Sequence, residues 1–202
     1  MTPVVRKFSD LSTIEGTLIN PATAAELDEA QKHWPPILRA VIAESIAQGA
    51  PPDIKIWQGK WGSKVTLLGQ KGTSIQAIKV KSRVEGLIKL LVEGQDSRLA
   101  VGSQLVYIDL VESAPWNVGR YMKVLGRDPI YKDTGLELVR LAIKESLKCG
   151  YDGRVGLHSI VPAEGFYRGL AMKEFGPDPS KGNMNYFEFE ETTAKDLYGD
   201  RI

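Results

Sequence analysis

The sequence predicts an α+β fold, built as a mixed α/β sandwich, and three observations support this. Two amphipathic helical segments lie early in the chain, segments rich in β-branched and aromatic residues follow, and helical and strand patterns alternate in the last third. Elements in this order bury their apolar faces when helices pack on a central sheet. The length of 202 residues suffices for a substantial core. We therefore expect a single domain over residues 1–202.

The first quarter of the chain predicts two strands and two helices. The short apolar runs "VVRKF" and "TIEGTLI" could each supply a strand. Asn20-Pro21 is typical of an N-cap followed by proline at the first helical position. This first helix is expected to stop at Trp34, because Pro35 and Pro36 follow. The stretch "PPILRAVIAESIAQG" then predicts a second helix with one apolar face.

The middle of the chain predicts a run of strands. The candidate strands are "VTLLG", "SIQAIKV", "VEGLIKLLV" and "SQLVYIDLVES". Lys81-Ser82-Arg83 is short enough to close an antiparallel hairpin between the second and the third. "APWNVGRYMKVLGRDP" is expected to be a long loop, and long loops in compact domains are often functional. The preceding stretch "IKIWQGKWGSK" receives no assignment.

The last third has the clearest pattern. A helix from Gly135 to Cys149 places Leu136, Val139 and Ile143 on one face, and Gly150 ends it. The segments "GRVGLHS", "PAEGFYRGLAM" and "MNYFEFE" then predict a strand, a short helix and a final strand.

Composition and charge exclude several classes of function. The 26 Lys and Arg residues nearly balance 25 Asp and Glu residues, so no charge excess favours nucleic acid or an anionic membrane. Cys149 is the only cysteine, and the two histidines are far apart, so neither a disulfide nor a metal site is expected. The start "MTPVVRKFSD" lacks the apolar core of a signal peptide, which favours a cytoplasmic location.

The residues from about 105 to 190 resemble the GNAT superfamily of acyl-CoA-dependent N-acyltransferases. "LVYIDLVESAPWN" is similar to the family's central strand and its exit, and "YKDTGLELVRLAIKESLKCGYDG" to its phosphate-binding turn and helix. "RVGLHSIVPAEGFYRGLAM" resembles the next strand and the "A-x-x-F-Y-x-x-L-G-F" helix. The matching positions of that helix are Ala163, Phe166, Tyr167, Leu170, Ala171 and Met172. "APWN" together with "GLHS…AEGFY" resembles a divergent bacterial branch.

The resemblance implies a GNAT-like fold, in which a central, mostly antiparallel sheet carries helices on both faces. It also implies an enzyme that moves an acetyl group from acetyl-CoA to a small-molecule or peptide amine, without a metal. A homodimer is compatible with it. Two other interpretations remain open: a non-catalytic GNAT-like module that binds a partner, and, more weakly, a nucleic-acid surface at "WQGKWGSK" and "IKVKSR".

The resemblance places the coenzyme-binding turn at Lys132, Asp133, Thr134, Gly135 and Leu136, with a contribution from Val111 on the central strand. Backbone amides at a helix start bind phosphates without a charged side chain. The sequence departs from the family here, because Asp133 occupies the middle glycine position and Ile130 replaces Gln or Arg. The alternative is a capping box between Thr134 and Glu137, which would satisfy amides that a phosphate needs.

The resemblance also names catalytic candidates. Tyr167 would protonate the leaving thiolate as a general acid, or else pack in the core with its hydroxyl hydrogen-bonded. Glu112, at the end of the central strand, would be a general base on the amine, or else a solvated strand-end carboxylate.

Further candidates concern the substrate. Asp109 could attract a cationic amine, and Trp116 and Asn117 could border the acyl site, although Asn117 could simply hold a turn. His158 is expected to be a buried histidine with satisfied hydrogen bonds, and Cys149 a core residue rather than a nucleophile.

Overall fold

The computed structural model describes residues 2–50 and 60–199. The strands are β1 (Val4–Lys7), β2 (Thr13–Glu15), β3 (Thr17–Ile19), β4 (Thr73–Val80), β5 (Arg83–Leu91), β6 (Val106–Ser113), β7 (Tyr131–Lys132), β8 (Val155–Ser159), β9 (Lys173–Asp178) and β10 (Met184–Glu188). The α-helices are α1 (Ala24–Ala47), α2 (Gly119–Val124), α3 (Thr134–Lys148), α4 (Val161–Gly169) and α5 (Glu191–Gly199).

Helix α1 contains both prolines, so the predicted break at Trp34 is wrong. Each proline removes one backbone donor from the helix. Trp34 and Pro35 are nevertheless buried, as is Leu38 one turn later, and this packing outweighs the local preference to stop. Tertiary burial therefore joins two predicted helices into one.

The start of α1 also differs from the prediction at Asn20-Pro21. Thr23 is the N-cap, and its side chain accepts from the Ala25 amide at 3.3 Å. Glu26 reaches back, and its Oε2 accepts from the Thr23 amide at 3.0 Å. A capping box thus starts the helix after the proline.

Two predicted segments adopt other structures. The predicted strand "VTLLG" belongs largely to a 3-10 helix, Trp61–Leu67, whose Gly62 amide donates to Gln31 of α1 at 3.2 Å. The predicted loop after β6 contains a 3-10 turn, Pro115–Asn117, followed by α2. Most of the unassigned stretch before Trp61 lies outside the described residues.

Several sequence predictions are confirmed. β4 and β5 form the expected hairpin, and its turn residues Lys81 and Ser82 have φ values of 48° and 70°. Helix α3 occupies almost the predicted range, and Gly150 follows with φ 75°. β8, α4 and β10 also lie where the sequence places them, whereas β9 and α5 were not predicted.

The strands form two sheets, with orders β2-β1-β7 and β3-β4-β5-β6-β8-β10-β9. β3 pairs with β4, β8 with β10, and β10 with β9, in each case antiparallel. The parallel pairing of β6 with β8 joins Val106–Ile108 to Val155–Leu157, although β6 continues to Ser113. A large mixed sheet with helices confirms the predicted fold class.

The chain divides into two compact units. Unit 1 comprises the described parts of Met1–Gly69, Ile75–Ile88 and Val111–Leu138, and unit 2 comprises Gln70–Ser74, Lys89–Leu110 and the described part of Val139–Ile202. In unit 1, Val5, Val80 and Tyr131 form a small buried cluster beneath the β2-β1-β7 sheet. In unit 2, the buried side chains of Val155, Leu157 and Phe187 lie on β8 and β10. Within residues 2–50 and 60–199, no helix is long and apolar enough to cross a membrane.

Candidate functional site

Glu112, near the end of β6 in unit 1, is a partly buried carboxylate with one hydrogen-bond donor among the described residues. Nε1 of Trp61 donates to its Oε2 at 2.7 Å, and Trp61 is itself buried. Burial disfavours the charged form and raises the pKa of Glu112 to about 7, although the Trp61 hydrogen bond opposes this. The group can therefore exchange a proton near neutral pH. Sequence reasoning missed Trp61, because nothing in its local pattern connects it to Glu112.

Glu85, on β5 in unit 1, is a second buried carboxylate that sequence reasoning missed. It accepts from Nε1 of Trp116 at 2.6 Å, from Nδ2 of Asn117 at 2.8 Å and from Nε of Arg83 at 2.6 Å. The Arg83 guanidinium also lies 4.5 Å from the centre of the Trp116 ring. Burial raises the pKa of Glu85, and the three donors act against that rise.

Trp116 and Asn117 connect Glu85 to the strand before the phosphate turn. Oδ1 of Asn117 accepts from the Tyr131 amide at 3.0 Å, and the Trp116 carbonyl accepts from the Ile130 amide at 3.0 Å. This geometry agrees with the alternative that Asn117 holds a turn. A role for either side chain in substrate binding stays a prediction.

Asp133 lies in the left-handed region, with φ 68°. This conformation favours glycine and tolerates Asp. Arg6 of β1 forms a two-pronged ion pair with the Asp133 carboxylate, in which Nη2 donates to Oδ1 at 3.1 Å. The negative charge at the turn is therefore matched. Lys132 lies elsewhere, with its Nζ 4.6 Å from the centre of the Phe8 ring.

The capping box predicted between Thr134 and Glu137 is wrong. The Thr134 hydroxyl is buried and has no hydrogen-bond partner within the described residues. The Glu137 amide donates to the Asp133 carbonyl at 2.9 Å, and Oε2 of Glu137 accepts from the Val4 amide at 3.1 Å. The Glu137 carboxylate is thus held toward β1. The amides of Thr134, Gly135 and Leu136, in the first turn of α3, have no acceptor within the helix, as at any helix start.

Tyr167, on α4 in unit 2, is buried, with 5% of its surface exposed. Its ring packs against Phe187 at 5.8 Å and edge-on against Phe166 at 5.2 Å between ring centres. Burial raises the pKa of its hydroxyl, which therefore stays protonated at neutral pH. The hydrogen bonds found among the described residues include none from that hydroxyl. The structure thus shows a packed ring, but not the hydrogen-bonded hydroxyl of the alternative interpretation.

Other candidates in unit 2 have partners of their own. The His158 ring is hydrogen-bonded at both nitrogens, to Tyr107 at 2.8 Å and to Asp178 at 3.1 Å, which confirms the expected satisfied histidine. Asp109 forms an ion pair with Lys89 at 2.7 Å, so its charge is already matched. Cys149 is partly buried, and burial raises the pKa of its thiol, which disfavours a nucleophilic thiolate.

Comparison with known proteins gives matches at the level of structure only. No family model and no curated protein matches the sequence. PaiA N-acetyltransferase from Thermoplasma acidophilum, solved with coenzyme A, has 13% identity and a TM-score of 0.55, over 86% of this chain and 99% of that chain.

Two further solved structures give similar values. Aminoglycoside 6'-acetyltransferase type Ii has 12% identity and a TM-score of 0.52, over 88% of this chain and 97% of that chain. FeeM, an N-acyl amino acid synthase from uncultured soil microbes, has 14% identity and a TM-score of 0.52, over 90% of this chain and 96% of that chain. The chain therefore has the GNAT fold, as its sequence resemblance predicted.

Proposed function

We propose that the chain is an acyl-CoA-dependent N-acyltransferase that moves an acetyl group from acetyl-CoA to an amine. One observation carries the proposal: β6 holds a carboxylate, Glu112, whose pKa is raised to about 7 and whose one donor among the described residues is Trp61. A general base is most effective when its pKa lies near the working pH. The GNAT fold is consistent with acyl transfer but does not by itself establish it.

Glu112 acts on the amine in this proposal. Amines reach the protein mostly as ammonium ions, which have no lone pair for attack. In its charged form, Glu112 accepts a proton from the ammonium, directly or through a water molecule. The neutral amine then attacks the thioester carbonyl and forms the new C–N bond, and a backbone amide near Val111 polarises that carbonyl.

Tyr167 acts on the leaving group. When the C–S bond breaks, the thiolate needs a proton, and the Tyr167 hydroxyl donates it as a general acid. The proposal is supported by a hydroxyl that is protonated at neutral pH and that donates none of the hydrogen bonds found among the described residues.

The start of α3 fits the diphosphate of acetyl-CoA. Gly135 has no side chain to block an approaching phosphate, and the amides of the first turn point out of the helix start. The buried Thr134 hydroxyl has no partner, and the Asp133 carboxylate that would repel a phosphate is paired with Arg6. Acetyl-CoA is thus the donor, and the acceptor is a small-molecule or peptide amine.

The alternative, a non-catalytic GNAT-like module that binds a partner, is favoured by a turn that caps itself. The Thr134 hydroxyl has no hydrogen-bond partner among the described residues, so this feature does not support the alternative.

Calorimetric titration with acetyl-CoA tests the proposal, combined with a thiol-release assay over a panel of small amines and peptides. We expect the wild-type protein to bind acetyl-CoA at micromolar concentrations and to release coenzyme A with at least one amine. Tyr167→Phe should bind acetyl-CoA equally well but turn over about 10²-fold more slowly. An absence of binding at millimolar acetyl-CoA would refute the proposal.

A further inference from the structure

We infer that Glu85 and Gly86 of β5 fix the position of the turn that binds the acyl-CoA diphosphate, which makes Glu85 a positioning residue rather than a catalytic one. This inference rests on the proposed function. It concerns unit 1 only, where β5, the Pro115–Asn117 turn, β7 and the first turn of α3 are linked by a continuous series of contacts.

The series begins with the complete burial of Glu85, whose exposed surface is 0%. A buried carboxylate needs several donors, and Glu85 has three, from Trp116, Asn117 and Arg83. Because these donors approach from fixed directions, the Trp116 and Asn117 side chains have one orientation relative to β5. The Ala114 amide also donates to the Glu85 carbonyl at 2.8 Å, which anchors the beginning of the same turn.

The second link in the series is the side-chain amide of Asn117, which uses both its nitrogen and its oxygen. Nδ2 of Asn117 donates to Glu85, and Oδ1 accepts from the Tyr131 amide. An amide has its donors on nitrogen and its acceptor on oxygen. Since a carboxylate accepts from Nδ2, Oδ1 must face the opposite way, toward Tyr131. Glu85 therefore determines which atom of Asn117 meets the backbone of β7.

The third step concerns β7, which is only two residues long. On one side it pairs with β1, where Lys7 lies opposite Tyr131 and Arg6 opposite Lys132. Asn117 holds the Tyr131 amide separately. The chain is therefore held just before Asp133 and the start of α3.

The fourth step is direct packing between β5 and α3. A Cβ on Gly86 would lie 2.9 Å from Cγ2 of Thr134 and 2.8 Å from Cδ1 of Leu138, distances that real side chains do not tolerate. The first turn of α3 thus rests on the bare backbone of Gly86. Neighbouring residues of β5 hold the turn, Glu85 through hydrogen bonds and Gly86 through contact.

The experiment measures acetyl-CoA affinity by calorimetry, and kcat at saturating acetyl-CoA, for Glu85→Gln, Asn117→Ala and the double variant. Trp116 and Asn117 both donate to Oε2 of Glu85, whereas Arg83 donates to Oε1. A glutamine has one carbonyl oxygen and one NH2 group, so its NH2 group must face either Arg83 or the two turn side chains, donor against donor. Either arrangement weakens the hold of residue 85 on Asn117. We expect the Kd for acetyl-CoA to rise about tenfold in Glu85→Gln and severalfold in Asn117→Ala. The double variant should be no weaker than Glu85→Gln, because both changes break one series of contacts. For Glu85→Gln, the kcat at saturating acetyl-CoA should stay within about twofold, because Glu85 touches no reacting group.

Glu29→Gln is the matched control. Oε1 of Glu29 accepts from the Val84 amide at 2.7 Å, one residue before Glu85, and Oε2 forms an ion pair with Lys79 at 3.1 Å. Glutamine keeps an acceptor for the Val84 amide but loses the ion pair. The variant should therefore lower the melting temperature and leave the Kd for acetyl-CoA unchanged. If Glu85 had a purely structural role, Glu85→Gln would likewise lower the melting temperature and leave the Kd for acetyl-CoA unchanged.

The possible outcomes separate this inference from the proposed function. If the wild-type protein fails to bind acetyl-CoA, the proposed function and this inference are both overturned. If the wild-type protein binds but Asn117→Ala and Glu85→Gln bind equally well, or if their effects simply add, only this inference is overturned. Should Glu85→Gln fail to fold, Asn117→Ala decides alone, because it leaves Glu85 its Trp116 and Arg83 donors.

Discussion

Glu85 and Glu112 are two carboxylates of unit 1 that share a type of partner and differ in how completely they are satisfied. Each accepts a hydrogen bond from a tryptophan indole, at 2.6 Å and 2.7 Å respectively. Glu85 has two further donors, one of them the Arg83 cation, whereas Trp61 is the donor found for Glu112 among the described residues. Burial raises both pKa values, and only that of Glu112 is raised strongly, to about 7.

This difference shows how a protein separates positioning from proton transfer. A carboxylate has about four acceptor positions, and three donors, one of them charged, leave little room for a substrate proton. Among the described residues, Glu112 has one donor, and burial raises its pKa to about 7. Burial is the largest influence on both pKa values, and the additional donors of Glu85 act against it.

The largest expected effect is the loss of activity in Glu112→Gln. Glutamine preserves the size and the acceptor for Trp61 but cannot take a proton, so kcat/KM should fall about 10²- to 10³-fold. In the wild-type protein, kcat/KM should rise with pH through about 7, because the reaction needs the charged form of Glu112. This rise, the acidic limb of the pH–rate profile, should disappear in the variant. A pH–rate profile measured with one amine checks this. An unchanged acidic limb in the variant would assign the titration to another group.

The second effect is on stability, and it should have opposite signs for the two residues. The pKa of Glu112 is higher in the folded protein than in the unfolded chain. Its stabilising contribution is therefore complete below about pH 4.5 and is lost as the pH rises to about 7. Glu112→Gln removes this penalty and should raise the free energy of unfolding at pH 8 by about 2 kcal/mol, with little gain at pH 4.5.

Glu85→Gln should instead lower the free energy of unfolding at pH 8 by about 1 kcal/mol, because a buried donor loses its acceptor. Urea unfolding of both variants at the two pH values measures these changes. A gain for both variants at pH 8 would mean that Glu85 is no better satisfied than Glu112.

Much of the fold follows from local sequence pattern. The apolar spacing of α3 and the two-residue turn between β4 and β5 are local signals, and both predictions are confirmed. The prediction failed at Pro35 and Pro36, where burial of Trp34 and Leu38 overrides a local stop signal. A local rule cannot weigh packing that other parts of the chain supply.

The candidate site was less predictable, because its chemistry arises between distant residues. The position of Glu112 at the end of a predicted strand suggested a base, but its pKa depends on burial and on Trp61, 51 positions away. Glu85 attracted no prediction, since its donors Trp116 and Asn117 follow 31 and 32 positions later. The capping motif of Thr134 and Glu137 was recognisable and wrong, because the Glu137 amide donates to the Asp133 carbonyl and the Thr134 hydroxyl has no hydrogen-bond partner among the described residues.

The smallest expected effects come from removing the two indole donors, with Trp61→Phe compared against Trp116→Phe. The Trp61 hydrogen bond lowers the pKa of Glu112, so its loss should raise that pKa further and move the acidic limb of the kcat/KM profile to higher pH. Trp116→Phe leaves Glu85 its Asn117 and Arg83 donors, so the limb should stay in place while stability falls by about 1 kcal/mol. Each variant removes one indole N–H donor from one carboxylate, Glu112 or Glu85. The comparison therefore tests whether the loss of one donor changes the pKa of the general base only at Glu112. If the limb moves equally in both variants, proton transfer is not confined to Glu112, and the distinction between the two carboxylates fails.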